Sequence, residues 1–332
     1  MKNSKIRRFL FEISANSRFL MFGLKNPTSF IYKNKFRTFF GRFWSFMYSN
    51  ISGVKSEYYV PETFFYNNLE CKVNDFSLSS YFEHKGYLDK ILMTNTVPSL
   101  INCMSGVMYS GFNVIGFDEI EELFKDYNNE LVIKRSIGTG GGKSVEIGIY
   151  SDIKCYIKEY YESGYDFIIQ NRLSQHPELE KYNQSSLNTI RMLTLSIDGN
   201  VNLLSSVFRM GNGGKIDNSA SGGISIGMSD SGVLNDFAID HDFNKFYEHP
   251  LSKISFLGKD KIPFFYDMKD LVILKHKELK SHDLVSWDLT VDDDGYISII
   301  EFNVVWSEIN FHQANNGPIF ENYIEYLNRF RK

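Results

Sequence analysis

From about residue 187 onward, apolar and polar positions take on the texture of strands. The runs LNTIRMLTLSI and VNLLSSVFRM flank Asp198 and Gly199, a strong two-residue hairpin signal. A second pair, DLVSWDLTV and YISIIEF, flanks Asp294 and Gly295 in the same way. Between the hairpins lies a Gly-, Ser- and Asn-rich stretch, 211–223, and the pattern over 264–280 predicts a helix. A terminal helix is expected after Gly317 and Pro318. In the earlier part of the chain the elements are shorter. The spacing predicts a helix from Tyr87 to Leu100 ended by Pro98, another from Asp118 to Tyr127, and a strand Leu131–Ile133 leading into a glycine-rich loop. A strand VEIGIY, a helix over 152–163 and a buried strand over 166–173 follow, while 51–76 reads as a linker or short strand region. This mix predicts an α+β fold with large antiparallel hairpins, not the regular alternation of a doubly wound sheet.

The first fifty residues stand apart. Phe36, Phe39, Phe40 and Phe43 recur at helical spacing with Arg37 and Arg42 among them, and the segment holds thirteen aromatics, Phe9, Phe11, Phe19, Phe22, Trp44 and Phe46 included. Ten basic groups and one acid give residues 1–50 a charge of +9; the whole chain is −4, so the remainder carries −13. A basic, aromatic arm on an acidic body admits two main readings: a helical cap packed on the body, or an amphipathic segment in peripheral contact with an anionic membrane. A third, nucleic-acid binding, finds no base-reading module later in the chain, so no nucleic-acid partner is expected.

Composition narrows the class. The 332 residues are 43% hydrophobic and 23% charged, which excludes a wholly disordered chain and allows two or three domains. No uncharged apolar run of about 18 residues is present, so no membrane-spanning helix is predicted. Arg7, Arg8, Glu12 and Arg18 interrupt the N-terminus, which does not read as a cleaved signal peptide. Cys71, Cys103 and Cys155 are odd in number and lack CxxC spacing, which argues against a disulfide framework or a zinc site and for a reducing cytoplasm.

Three motifs carry chemistry. In LVIKRSIGTGGGKSVEIGIY, Gly138, Gly140, Gly141 and Gly142 free backbone N–H groups to approach a phosphate, and Lys134 and Lys143 flank them with positive charge. A P-loop is excluded: the motif needs Gly five residues before Gly142, where Ile137 stands, and a helix after the loop, where a strand is expected. In SWDLTVDDDGYISIIEFN, a two-residue turn at Asp294 and Gly295 pairs Asp293 with Tyr296. It then sets Asp288 opposite Glu301, with Cα atoms roughly 4.5–5.5 Å apart, and Asn303 on the same face. Facing carboxylates repel unless a cation joins them, and oxygen-only donors suit Mg2+ carrying phosphates. In the third, Arg191 and Arg209 lie on strands joined by the turn at Asp198 and Gly199; a strict two-residue turn puts them on opposite faces, so they share a site only if a bulge intervenes. Asn218, Gly222 and Gly223 form a further small-residue stretch able to approach a ligand.

In this order the pieces YLDKILM, VIKRSIGTGGGKS, QNRLSQHPEL, SLNTIRMLT, KIDNSASGG, WDLTVDDDGYISIIEFN and His312 with Gln313 resemble the ATP-grasp superfamily, and most of all its sugar-transfer-associated group. The resemblance covers about 77–330. It implies two α+β lobes gripping ATP, with a preceding helical and linker region 1–76, a first lobe 77–175 and a second lobe 176–332. It implies that Lys90 and Lys134 hold the nucleotide phosphates, that 138–142 form a phosphate lid, and that Gln170, Asn171, Arg172 and Leu173 form the interlobe strand that reads adenine. It further implies that Asp288, Glu301 and Asn303 ligate magnesium, two Mg2+ ions with Mn2+ as a substitute, and that Arg191 lies near the transferred phosphate or the substrate carboxylate. The activity implied is an ATP-dependent carboxylate–amine ligase working through an acyl phosphate. It would join an amino acid or amine to a sugar acid or lipid-linked glycan in surface polysaccharide biosynthesis. A sugar or small-molecule kinase, and a nucleotide-binding accessory of a polysaccharide assembly complex, are the alternatives.

Overall fold

The computed structural model describes residue 17 and residues 33–36, 41–138, 144–213 and 222–330. Helix α1, Gly41–Ser52, is followed by short helical turns between Glu62 and Leu92. The first sheet takes β1 (Ser99–Met104), β2 (Val107–Ser110) and β3 (Asn113–Ile115), then, after helix α2 (Phe117–Phe124), β4 (Leu131–Arg135) and β5 (Val145–Gly148). Helix α3 (Tyr150–Glu162) leads to β6 (Phe167–Asn171), and the strands lie in the order β3-β2-β1-β6-β4-β5. Ile120, Ile153 and Ile157 of the two helices pack on Ile101, Ile133, Phe167 and Ile169 of the strands, closing the first core.

The second sheet holds β7 (Thr189–Ile197), β8 (Asn200–Met210), β9 (Ile224–Met228), β10 (Leu234–Ile239), β11 (Lys245–Phe246) and, after helix α4 (Phe265–His276), β12 (Leu284–Val291) and β13 (Ile297–Asn303). Its order is β11-β10-β9-β8-β7-β12-β13, and every described pairing in both sheets is antiparallel. Strand alternation divides its faces. Ile190, Met192, Phe208, Trp287 and Leu289 turn toward Phe265, Met268 and Val272 of α4. Leu193, Leu195 and Leu284 turn the other way, toward Ile309 of helix α5 (Ile309–Asn316) and toward Val60, Phe65, Leu69 and Val73. The architecture is the α+β mix that the strand pattern predicts.

Several local expectations are corrected. The helix expected from Tyr87 to Leu100 spans only Leu88–Leu92, because Met93 takes a left-handed backbone (φ 65°) and Ser99–Met104 pairs as a strand. The three-strand run at 99–115 and helix α5 carried no signal that was read. Residues 51–76 pack on the second sheet rather than forming a linker: 62–73 are helical turns, and Val60, Phe65, Leu69 and Val73 are buried. The terminal helix is a short one, Ile324–Asn328.

The membrane-facing reading fails for residues 41–50. Trp44, Met47 and Tyr48 of α1, with Ile51 and Tyr59, pack on Ile239, Phe243, Phe311 and Ala314, and Phe36 is buried as well. Phe9, Phe11, Phe19, Phe22, Phe39 and Phe40 lie outside the described residues, and so does any membrane contact through them. Among the described residues no helix is long and apolar enough to cross a membrane. Trp44 is 1% exposed. Trp44→Ala should therefore cost about 3–5 kcal/mol of stability, the range for truncating a buried aromatic. Urea denaturation checks this, and a loss below about 1 kcal/mol would make α1 an appendage.

Candidate active site

A cavity of about 810 Å³ separates the two sheets. Lys134, Gly138, Val145 and Gln170 line it from the first lobe, and Arg191, Arg209, Asp288, Glu301 and Asn303 from the second. Two irregularities in the second sheet create this convergence. In the β7–β8 hairpin, Ile197 opposes Asn200 across the tight turn, but the register shifts between Leu193 and Thr194, so that Leu204 is an extra residue. Arg191 then opposes Val207, and Arg209 lies two residues on along the same face. This is the bulge that the shared site requires.

The β12–β13 hairpin reaches the expected pairing by an unexpected path. Its loop has three residues, Asp293 to Gly295, not two. The Asp292 N–H donates to Tyr296 O at 3.1 Å, and Gly295 supplies a left-handed backbone (φ 84°) that a side chain would resist. Leu289 consequently opposes Ile299. Left uncorrected, that slip would place Ile300 opposite Asp288. A bulge at Ile300 takes up the difference, and Asp288 faces Glu301 after all.

Asp288 sits at the centre of the charged site. Arg191 grips it with two hydrogen bonds, Nε to Oδ1 at 2.7 Å and Nη2 to Oδ2 at 2.6 Å. Arg209 adds Nη1 at 3.2 Å from Oδ2. The other amino group of Arg191 bonds to Glu308. Glu301 pairs instead with Lys85, Nζ to Oε2 at 2.9 Å. Burial alone would raise the Glu301 carboxyl, but Lys85, Arg191 and Lys134 hold it down at about 2. Burial works against the Lys85 ammonium, and Glu301 more than offsets it, so Lys85 lies above its ordinary value. Lys134 goes the other way: burial, reinforced by the Lys85 charge, pulls it down to about 8.

Lys85, and not Lys90, stands with Lys134 in the cavity lining. A short turn, Lys85–Tyr87, capped by His84, leads straight into Leu88–Leu92. That rotates Lys90 to the exposed surface beside the Tyr87 ring and sends Lys85 into the cavity. The sequence signal was Gly86, next to Lys85: a Cβ there would meet Asn102 Oδ1 at 2.5 Å, so only glycine allows this approach. Gln170, Asn171, Arg172 and Leu173 line the cavity as expected, and the Gln170 amide donates to Val97 O at 2.6 Å. Gly140, Gly141, Gly142, Lys143 and Asn218 lie outside the described residues. His312 and Gln313 do not reach the cavity lining. His312 Nδ1 contacts Ser205 Oγ at 2.9 Å, and Gln313 clamps the backbone of Val60 through both its amide atoms at 2.8 Å.

One wall of the cavity had no reading in the sequence. After β13 the chain passes through Trp306 (φ 61°) and Glu308 (φ 52°), left-handed positions that cost non-glycine residues about 1–3 kcal/mol each. Side chains from the N-terminal turns hold them there. Glu83 Oε1 accepts the N–H groups of Val304 and Val305 at 3.0 and 2.9 Å. Glu70 Oε1 accepts both the N–H and the hydroxyl of Ser307 at 2.9 Å, and the Tyr66 hydroxyl accepts the Glu308 N–H at 3.0 Å. Burial pushes the Glu70 carboxyl up to about 7, against the pull of those Ser307 bonds.

Because Arg191 and Arg209 are both buried, Asp288→Ala would leave two guanidinium groups without their shared counter-charge. The expected loss is about 3–5 kcal/mol, as for breaking other buried ion pairs. Chemical denaturation measures it, and a loss below about 1 kcal/mol, the value of an exposed pair, would show that the cluster is not structural.

A search of curated proteins gives no match. Solved structures give distant ones. A D-cycloserine synthetase is 10% identical with a TM-score of 0.46, covering 77% of this chain and 73% of that one. The D-alanine–D-alanine ligase of Bacillus anthracis is 14% identical with a TM-score of 0.42, covering 75% and 68%. The biotin carboxylase of Campylobacter jejuni is 12% identical with a TM-score of 0.48, covering 77% of this chain and 46% of that longer one. The sequence profile of the sugar-transfer associated ATP-grasp family matches residues 65–328, most of the chain and every described wall of the cavity. The match begins in the N-terminal turns that brace the 304–308 loop and ends in the last helix, and on that extent the chain belongs to the sugar-transfer associated ATP-grasp family.

Proposed function

We propose that this protein is an ATP- and Mg2+-dependent ligase that activates a carboxylate as an acyl phosphate and couples it to an amine. The observation that carries the reading is the facing of Lys85 and Lys134 against Asp288, Glu301 and Asn303 in one interlobe cavity. The two ammonium groups offer a polyphosphate its counter-charge, and the hairpin offers oxygen donors. In this reading adenine lies against Gln170 to Leu173, and the triphosphate runs toward Glu301. The γ-phosphoryl group passes to a carboxylate oxygen and ADP departs; an amine then attacks the acyl carbon, phosphate leaves and the amine loses a proton. The protein acts by positioning and charge compensation rather than through a covalent nucleophile.

The donor set fits a hard divalent cation. Glu301 is held ionised and Asn303 lies two residues along the same strand face. Asp288 fits only by sharing, since its oxygens already serve the guanidinium groups. Among the described residues no three His, Cys, Asp or Glu side chains cluster as a metal cage, so phosphate and water oxygens would complete the shell. When bound, the ion would neutralise phosphate charge and orient the leaving oxygen. The family's association with sugar transfer supports a saccharide-linked acceptor and a role in surface polysaccharide assembly.

Incubation with ATP, Mg2+ and libraries of carboxylates and amines, read by mass spectrometry, should yield ADP with an amide product. A phosphorylated acceptor that no amine converts would make the protein a kinase. Glu301→Gln keeps the side-chain size and removes the charge; turnover should fall by at least about a hundredfold with the fold unchanged by circular dichroism. Near-normal turnover at low millimolar Mg2+ would remove Glu301 from the metal site.

Lys134 gives a pH signature. Its folded value is depressed, so near pH 8.5 the amine is largely neutral, and phosphate binding restores its charge. ATP binding at about pH 8.5 should take up protons, by calorimetry in buffers of different ionisation enthalpy. Affinity should fall as pH rises through about 8. Lys134→Ala should abolish the uptake; an unchanged uptake would assign it elsewhere.

A further inference from the structure

We propose that the exposed ring of Trp306 is the platform on which a pyranose ring of the acceptor stacks, so that the activated carboxylate belongs to a cyclic sugar acid and not to an acyclic one. The proposal rests on the ligase reading above and adds the acceptor's shape to it. Of the three tryptophans, Trp44 and Trp287 are 1% and 0% exposed, whereas Trp306 is 58% exposed and lines the interlobe cavity. A large aromatic left in water forgoes burial that the other two have gained. Here it is also held there. Its backbone is left-handed, its flanking residues are fixed by Glu83, Glu70 and Tyr66, and the Tyr66 ring supports it from one side at 4.9 Å. A preorganised aromatic face of this kind loses little conformational freedom on binding.

Position decides between a sugar and the nucleotide base. The loop of the β12–β13 hairpin lies against the interlobe strand: the Asp293 N–H donates to Ser174 O at 3.2 Å, and Gln175 bridges Asp292. Strand β13 then runs away from that contact for seven residues before the chain reaches Trp306, a span of roughly 20 Å. A base held at Gln170 to Leu173 is therefore at the opposite end of the strand from this ring. Glu301 and Asn303 come between them in sequence, which places Trp306 beyond the phosphates, on the acceptor side. The chemistry of the wall matches a sugar ring. The π-face is electron-rich, and a pyranose presents to it a face of C–H bonds polarised by the neighbouring oxygens. The ring's hydroxyl and carboxylate edges then meet Arg191 and Glu308, which line the same cavity. An acyclic dicarboxylate has no comparable face.

Trp306 is also its own reporter, since the other two tryptophans are buried. The intact protein, saturated with Mg2+ and a non-hydrolysable ATP analogue, is titrated with D-glucuronate, D-galacturonate and succinate. Binding is read by Trp emission with acrylamide quenching, and independently by equilibrium dialysis. At least one hexuronate should blue-shift and shield the emission at millimolar concentration while succinate does neither. Trp306→Ala should weaken hexuronate binding about tenfold by dialysis, and Trp306→Phe, which keeps a ring, should stay within about threefold of the intact protein. Binding of the ATP analogue to each variant confirms that it is folded. Equal hexuronate binding by Trp306→Ala, succinate binding as tight as hexuronate, or no hexuronate binding to the nucleotide-bound protein would each overturn the platform and leave the ligase reading standing. Failure of the intact protein to bind the ATP analogue would overturn the ligase reading, and the platform with it.

Discussion

Two guanidinium groups cannot be buried side by side on one sheet face without an acid between them, and Asp288 is that acid. Its position fixes much else. Arg191 comes from β7 and Arg209 from β8 on the same face as Asp288 from β12, so the β7–β8 hairpin cannot keep a regular ladder. The extra residue Leu204 is the consequence, and in β13 the extra residue Ile300 keeps Glu301 opposite Asp288. Each rotates part of a strand by one position, which elsewhere would turn a hydrophobic face to water. Both occur next to the charged cluster, where the alternation is needed in its altered form. Glu301, freed from competing for the same guanidinium groups, is left to Lys85.

This arrangement separates what could be read in the sequence from what could not. Asp198 and Gly199 specify a tight turn by local chemistry, and the turn forms there. The pairing of Asp288 with Glu301 was also legible, although by a cancellation: the loop is one residue longer than expected and the bulge at Ile300 compensates. Turn chemistry acts over four or five residues and shows in the sequence. A bulge answers to a partner on another strand, distant in sequence, and does not. Lys85 and Lys90 illustrate the same limit. Both stand near helical residues, and the close approach of Gly86 to Asn102, a contact distant in sequence, accompanies the turn that sends Lys85 into the cavity. The 304–308 loop was illegible for a stronger reason, because its conformation is imposed by Glu70, Glu83 and Tyr66 and nothing in VVWSEIN itself favours left-handed backbone.

Composition left two readings of the N-terminal segment open for a related reason, and residues 41–50 take the packed one. Aromatics at helical spacing describe an amphipathic face and do not say what covers it. For α1 the cover is the second sheet's back layer, with Gln313 fastening Val60 beside it. Residues from the beginning of the family match thus brace the cavity wall at 304–308 from behind.

That closure has a consequence in time. Glu70 and Ser307 are separated by 237 residues, and Val60 and Gln313 by 253. At cellular rates of elongation a ribosome needs roughly ten to fifty seconds to cover that interval. Throughout it Glu70, Glu83 and Tyr66 have been made and their partners have not. Both sheets can begin to pair during synthesis, because their hairpins are local, but the wall bearing Trp306 cannot take its shape until the segment after β13 has emerged. A nascent chain of this protein can therefore assemble the first sheet of its cleft well before the 304–308 wall forms, and the order of translation makes that wall the last part of the cavity lining to take shape.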